Sequence, residues 1–153
     1  MSALEQFLNK FKSFELKIGE SESWVVSLRP QQLTLGSMVI AAKSGAVALS
    51  DLSVLQFQDL QKSFNLTEHI GRNLLKCDQM NYLCLMMVDK HLHFHVFPRY
   101  QQSQEFLGQV WVDLEWPKPL SLGGGEKTSM ELLKSLQSEL LDKLKSEPVD
   151  HIK

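Results

Sequence analysis

The segment His91-Leu92-His93-Phe94-His95-Val96-Phe97 decides how this chain is read. In a β-strand, side chains at i, i+2 and i+4 share one face. The three imidazoles therefore line up, about 6.7 Å from one to the next along the backbone. Leu92, Phe94 and Val96 face the other way and are expected in the core. Packing alone does not call for three histidines at period two, because a strand interior favours valine or isoleucine and every buried ring nitrogen needs a partner. Three readings compete. In the first, a neutral imidazole attacks phosphorus and splits one difficult displacement into two easier ones, while its neighbours donate to phosphoryl oxygens. In the second, the His-x-His pairs chelate zinc or iron; a cupin-type site would then need a glutamate shortly afterwards, whereas Val96-Phe97-Pro98-Arg99-Tyr100 supplies none. In the third, the row is structural, or forms a ligand-binding surface without turnover.

Outward from this strand the hydrophobic periodicity predicts the remaining elements. Asn81 to Val88 is almost wholly apolar and reads as a strand covered on both faces, with a turn at Asp89-Lys90 and the histidine strand running from His91 to Tyr100. Trp24–Leu28 and Leu35–Ala42 read as a hairpin with a wide loop, broken at Arg29-Pro30 because proline removes a donor and restricts its predecessor. Ser2-x-x-Glu5 is a capping box for a short helix carrying Leu4, Phe7, Leu8 and Phe11. Ser50 or Asp51 would cap a long helix over about residues 52–75, with Gly71 a weak interruption. Gly123-Gly124-Gly125 reads as a hinge, Thr128-x-x-Glu131 as a second capping box, and Leu133, Leu136, Leu140 and Leu144 as the apolar stripe of a helix over about 128–146, stopped by Pro148. Residues 108–113 read as strand or loop.

Composition excludes several classes. With 153 residues, 43 % of them hydrophobic and 22 % charged, the chain reads as one globular domain, 1–153. The net charge of −2 gives no field for a polynucleotide backbone. The longest apolar run, Tyr82–Val88, is too short to span a membrane. The N-terminus has no signal-peptide pattern, and Cys77 and Cys84 form no CxxC pair. A cytoplasmic location is expected, with Cys84 buried as a small hydrophobe.

His91–Phe97 resembles, at all seven positions, the histidine triad signature His-φ-His-φ-His-φ-φ, where φ is apolar. Pro98-Arg99 after it resembles the branches related to dinucleoside polyphosphate hydrolases, the diadenosine tetraphosphate type among them. The order of Trp24–Ser27, Gly36–Ile40 with Lys43, and Leu49–Leu52 before a helix is similar to that family's layout, so the resemblance covers about residues 15–100. It implies an α+β fold: an antiparallel sheet of about five strands with packed helices. It also implies hydrolysis or transfer at the α-phosphate of a nucleoside polyphosphate, a dinucleoside polyphosphate or a nucleoside phosphoramidate, through a nucleotidyl-histidine.

The same resemblance places the nucleophile at His93 and phosphate contacts at His91 and His95; Arg99, just after the triad strand, reads either as a further phosphate contact or as a solvated strand-end arginine. It places the nucleoside at Ser27, Val25 and Asn81. It implies a homodimer with continuous sheets, and no metal or other cofactor beyond a substrate that can arrive as its magnesium complex. The chain differs from the family pattern at Ser27, where one hydroxyl replaces an acid or asparagine, and at Lys43-Ser44-Gly45, where many members have Lys-x-His. The Gly-Gln segment that usually precedes the triad is also missing, leaving Asp89 or Lys90 as stand-ins. Trp111 and Trp116 are candidates for base stacking or for packing, and His69 and His151 for surface positions. A nucleotide-binding module with little turnover, and a histidine-ligated metal enzyme, are the alternative functions.

Overall fold

Five strands build the sheet that holds the histidines. In the computed structural model, which describes residues 1–123 and 127–147, these are β1 (Lys17–Glu20), β2 (Trp24–Leu28), β3 (Met38–Ala42), β4 (Gln79–Leu83) and β5 (His93–Arg99). Their order is β1-β2-β3-β5-β4, antiparallel throughout. A second hairpin, β6 (Gln104–Phe106) and β7 (Gln109–Trp111), turns at Leu107 and Gly108, both at positive φ. Three helices complete the fold: α1 (Ala3–Lys10), α2 (Val54–Glu68) and α3 (Met130–Lys145). The expected α+β architecture is thus present. Among the described residues no helix is long and apolar enough to cross a membrane.

Strand alternation sorts the side chains into two layers. Trp24, Val26 and Leu28 from β2, Met38, Ile40 and Ala42 from β3, and Val96 from β5 point to one side. There they meet Leu60 and Leu66 of α2 and Leu133, Leu136 and Leu140 of α3. The other side carries Val25, Val39 and Ala41, packed under Phe7 of α1 and its C-cap residue Phe11. The Ser2–Glu5 capping box forms as expected and fixes where α1 starts. At the β2–β3 return, Gly36 has φ +83° and lies so close to Leu75 that a Cβ would come within 2.4 Å of its Cδ1, so only glycine fits.

Several boundaries differ from the sequence reading. Ser53, not Ser50 or Asp51, caps α2, while Asp51 accepts from the Val47 and Ala48 amides in a preceding turn. The helix continues as a π-turn over His69–Leu74, where Gly71 packs against Met80. Ser129 rather than Thr128 caps α3, because Thr128 Oγ1 accepts from the Gln32 amide. The apolar run 81–88 leaves the sheet after Leu83. Met86 takes a positive φ, and Leu85, Met87 and Val88 are exposed, so that run is half strand and half loop. Cys84 is half-buried and unpaired. His69 is only partly exposed and pairs with Glu147. Gly124, Gly125, Pro148 and His151 lie outside the described residues.

Candidate active site

The ladder between β3 and β5 sets the histidine row. His93 lies opposite Ala41 and His95 opposite Val39, so small and β-branched neighbours flank the imidazoles on their own face. His91 lies just before β5 and outside the ladder. The adjoining backbone is nevertheless pinned, because Leu92 donates to Ala46 O and Ala42 donates to Leu92 O. His91 Nε2 then reaches Ala42 O at 2.7 Å. A main-chain carbonyl just before Lys43-Ser44-Gly45 thus holds the first ring, where the family pattern would offer a fourth histidine.

One set of tautomers satisfies the whole row, and it follows from the hydrogen-bond partners. A carbonyl can only accept, so His93 Nδ1 carries the proton given to His91 O at 2.6 Å. His93 Nε2 is left with a lone pair. His95 Nε2 is 3.2 Å from it and must be the donor. His95 Nδ1 is then bare, and Arg29 Nε faces it at a long 3.4 Å. The chain of donors runs from Arg29 to His95 to His93 to the main chain.

Burial keeps these rings neutral. His93 is 2 % exposed, and desolvation lowers its pKa, opposed in part by the bond to His91. Desolvation lowers that of His91 as well. The His95 value falls to about 3, chiefly through burial and then through the neighbouring His93 and Arg29. Neutral His93, with Nδ1 protonated and Nε2 bare, has the form a nucleophile requires near pH 7.

A cavity of ≈ 480 Å³ opens on His93 and His95, within the range of small-ligand sites. Lys10, Phe11, Arg29, Met86 and Asp89 are among its walls. Helix α1 roofs the row: the Phe7 ring is 4.6 Å from that of His93 and 5.0 Å from that of His91, and Phe11 lies about 6 Å from His93 and His95. Lys10 Nζ bonds both carboxylate oxygens of Asp89, at 2.9 and 2.8 Å, and so stitches α1 to the loop before the triad. Asp89, considered as a stand-in for the missing Gly-Gln segment, is therefore at the cavity but tied to Lys10.

Other expected contacts fall elsewhere. Arg99 is bound to Asp113 through Nε at 2.6 Å and Nη2 at 3.1 Å, to Asn81 Oδ1 and to Lys118 O, with its side chain 3 % exposed. Its place as a phosphate contact is taken by this structural ion pair, and Asn81 is engaged by Arg99 in the same network. Neither lines the cavity. Val25 and Ser27 share the triad's face but are buried under α1, and the Ser27 hydroxyl has no partner. Trp111 donates to Phe106 O and lines a separate hollow beside Leu114 and Leu132. Among the described residues no group of three or more His, Cys, Asp or Glu side chains is arranged to hold a metal ion.

Sequence reasoning missed Arg29. The signal was present: Val25, Ser27 and Arg29 alternate onto one face, and the hairpin carries that face next to β5. Phe7 and Phe11 were assigned to a helix, but nothing in their spacing says which face of the sheet that helix covers.

No protein-family model matches the sequence. No curated protein matches it either. Solved structures do. A histidine triad protein from Marinobacter aquaeolei VT8 superposes with a TM-score of 0.65 at 25 % identity, over 87 % of this chain and 94 % of that one. A hypothetical histidine triad nucleotide-binding protein from Sulfolobus tokodaii strain7 gives 0.67 at 17 % identity, over 100 % and 99 %. A Plasmodium falciparum diadenosine triphosphate hydrolase gives 0.64 at 11 % identity, over 95 % and 99 %. The sheet order and the helices are thus those of the histidine triad fold. In fold and in its histidine row the chain is similar to histidine triad proteins.

Proposed function

We propose that this protein is a nucleotide hydrolase or transferase that acts at the α-phosphate of a nucleoside polyphosphate, a dinucleoside polyphosphate or a nucleoside phosphoramidate. The observation that carries the reading is the state of His93. Its Nδ1 proton is held by His91 O, its unprotonated Nε2 accepts from His95, and its side chain lines a cavity together with Arg29 and Lys10. His93 Nε2 forms a bond to the α-phosphorus as the bond from phosphorus to the leaving group breaks. The ring becomes a cationic nucleotidyl-imidazolium, and the His91 carbonyl stabilises that charge through Nδ1–H. Once the lone pair is used, His95 Nε2–H is released to a non-bridging phosphoryl oxygen. Water then attacks phosphorus and gives up a proton to solvent, the P–N bond breaks, its electron pair returns to His93 and the nucleoside monophosphate leaves. The protein supplies no cofactor of its own to this scheme, and a polyphosphate can enter as its magnesium complex.

The free cysteines Cys77 and Cys84 are in keeping with a cytoplasmic site of action. Strand β4 forms one edge of the sheet, which a second copy would extend into a homodimer.

Incubation with diadenosine tetraphosphate and with adenosine 5′-phosphoramidate, followed by chromatography, tests the reading. Turnover is expected, and His93→Ala should abolish it while nucleotide binding persists. Equal turnover by His93→Ala would refute the assignment. A second reading, a nucleotide-binding module with little turnover, is favoured by the aromatic roof over His93. Binding without cleavage in the same incubation would select it.

A further inference from the structure

Two buried arginines carry opposite accounts of their charge. Arg99 has the Asp113 carboxylate. Arg29 is 7 % exposed and has no carboxylate within ion-pairing distance among the described residues. Its Nη1 donates to Gln31 O at 3.0 Å and to Gln31 Oε1 at 3.4 Å, its Nε faces His95 Nδ1, and its guanidinium lies 5.6 Å from the centre of the Phe97 ring. All of these partners are neutral. A buried cation with only neutral partners is costly to keep, and burial does weaken its hold on the proton. A planar fork held beside a cavity, stacked on an aromatic ring, is the form in which arginine meets phosphate. The other cation at the cavity, Lys10, is already engaged by Asp89. Among the described residues Arg29 is therefore the wall's unmatched positive charge, and it stands on the far side of His95 from His93.

We infer that Arg29 is the seat for the phosphates beyond the one attacked, so that the site selects nucleotides with a polyphosphate leaving group over phosphoramidates and monophosphates. The inference rests on the hydrolase reading for the direction in which the chain of phosphates lies, but its test does not require turnover. Arg29 contacts substrate in this scheme, and through Nε it also keeps His95 in the tautomer that donates to phosphate.

Calorimetric titration of the wild type with AMP, ADP and ATP provides the test. Affinity should rise about tenfold or more from AMP to ATP, the scale of one added charge-assisted contact. Arg29→Gln should erase that rise, so that AMP, ADP and ATP bind within about twofold of one another, and Arg29→Lys should keep part of it. A flat series in the wild type, which needs no variant to fold, would overturn the proposal, as would a rise that persists in Arg29→Gln. Graded binding without cleavage of diadenosine tetraphosphate would sink the hydrolase reading and leave this seat standing. Cleavage with an ungraded series would do the reverse, and no adenine-nucleotide binding at all would overturn both.

Discussion

The two faces of the sheet are built for different ends. The face carrying Trp24, Ile40 and Val96 is closed by two long helices, α2 and α3, and its interior is apolar. The face carrying His93 and His95 is closed by one eight-residue helix, α1, and its C-cap, whose phenylalanines Phe7 and Phe11 lie on imidazoles. The first arrangement gains stability from buried area, since fully burying one large apolar side chain contributes about 1.5–3 kcal/mol. The second buries three histidines and an arginine, groups that cost free energy to desolvate and are retained only with partners. Folding accounts for the first face. On the proposed reading, the second is explained by an anion that the same groups bind.

Substitutions sharpen that contrast. The largest loss of stability is expected where a buried charge is orphaned outside the cavity. Asp113→Asn leaves Arg99 uncompensated and should cost about 3–5 kcal/mol in urea unfolding, with turnover per folded molecule unchanged. A similar loss of turnover per folded molecule would return Arg99 to the phosphate site. Next comes the apolar face, where Leu136→Ala should cost about 2–5 kcal/mol because it opens a void that no solvent reaches. Phe7→Ala on the opposite face should cost less, because its void adjoins a separate surface hollow beside Lys90 and His91, and it should change the apparent pKa of His93. Equal costs for the two would mean that α1 is as much a part of the main core as α3.

The histidine face should also set the response to mild acid. His91, His93 and His95 have folded pKa values below the unfolded value near 6.5, mainly through burial, and that of His95 lies at about 3. Below 6.5 the unfolded chain binds more protons than the native one, so stability must fall as pH falls, and for His95 the loss continues until about pH 3. Each such histidine contributes a slope of up to about 1.4 kcal/mol per pH unit. Glu20, held at about 2 chiefly by Lys17 and then Lys43, also loses its stabilising effect in acid, but only as pH drops below 4.5. Unfolding titrations between pH 7 and 5 therefore isolate the histidines, and a flat profile there would contradict their burial. The smallest effect belongs to the Lys10–Asp89 stitch: as a largely exposed pair it should contribute no more than about 1 kcal/mol, read from the stability of Asp89→Asn.

The histidine row was legible in the sequence because period two forces His91, His93 and His95 to one side, whatever surrounds them. The hairpin 24–42 was legible for the same reason. The run 81–88 was not, because periodicity cannot tell an apolar strand from an apolar loop that edges a cavity, and Leu83 ends the strand four residues before Met87. Arg99 was placed at phosphate by its nearness in sequence to the triad. Its partner Asp113 lies on a connection after β7 whose position is set by tertiary packing. Arg29 stood next to a proline and was taken as a breaker, although its alternation with Val25 and Ser27 already pointed it at His95.

The hydrolase reading depends on Nε2 of His93 becoming covalently bonded to phosphorus. A single-turnover reaction with labelled diadenosine tetraphosphate, quenched without acid and mapped by peptide mass spectrometry, reads this directly. A nucleotidyl group on His93 that forms and decays at the rate of product release is the expected result. Product formed with no adduct, or with the label on another residue, would contradict it.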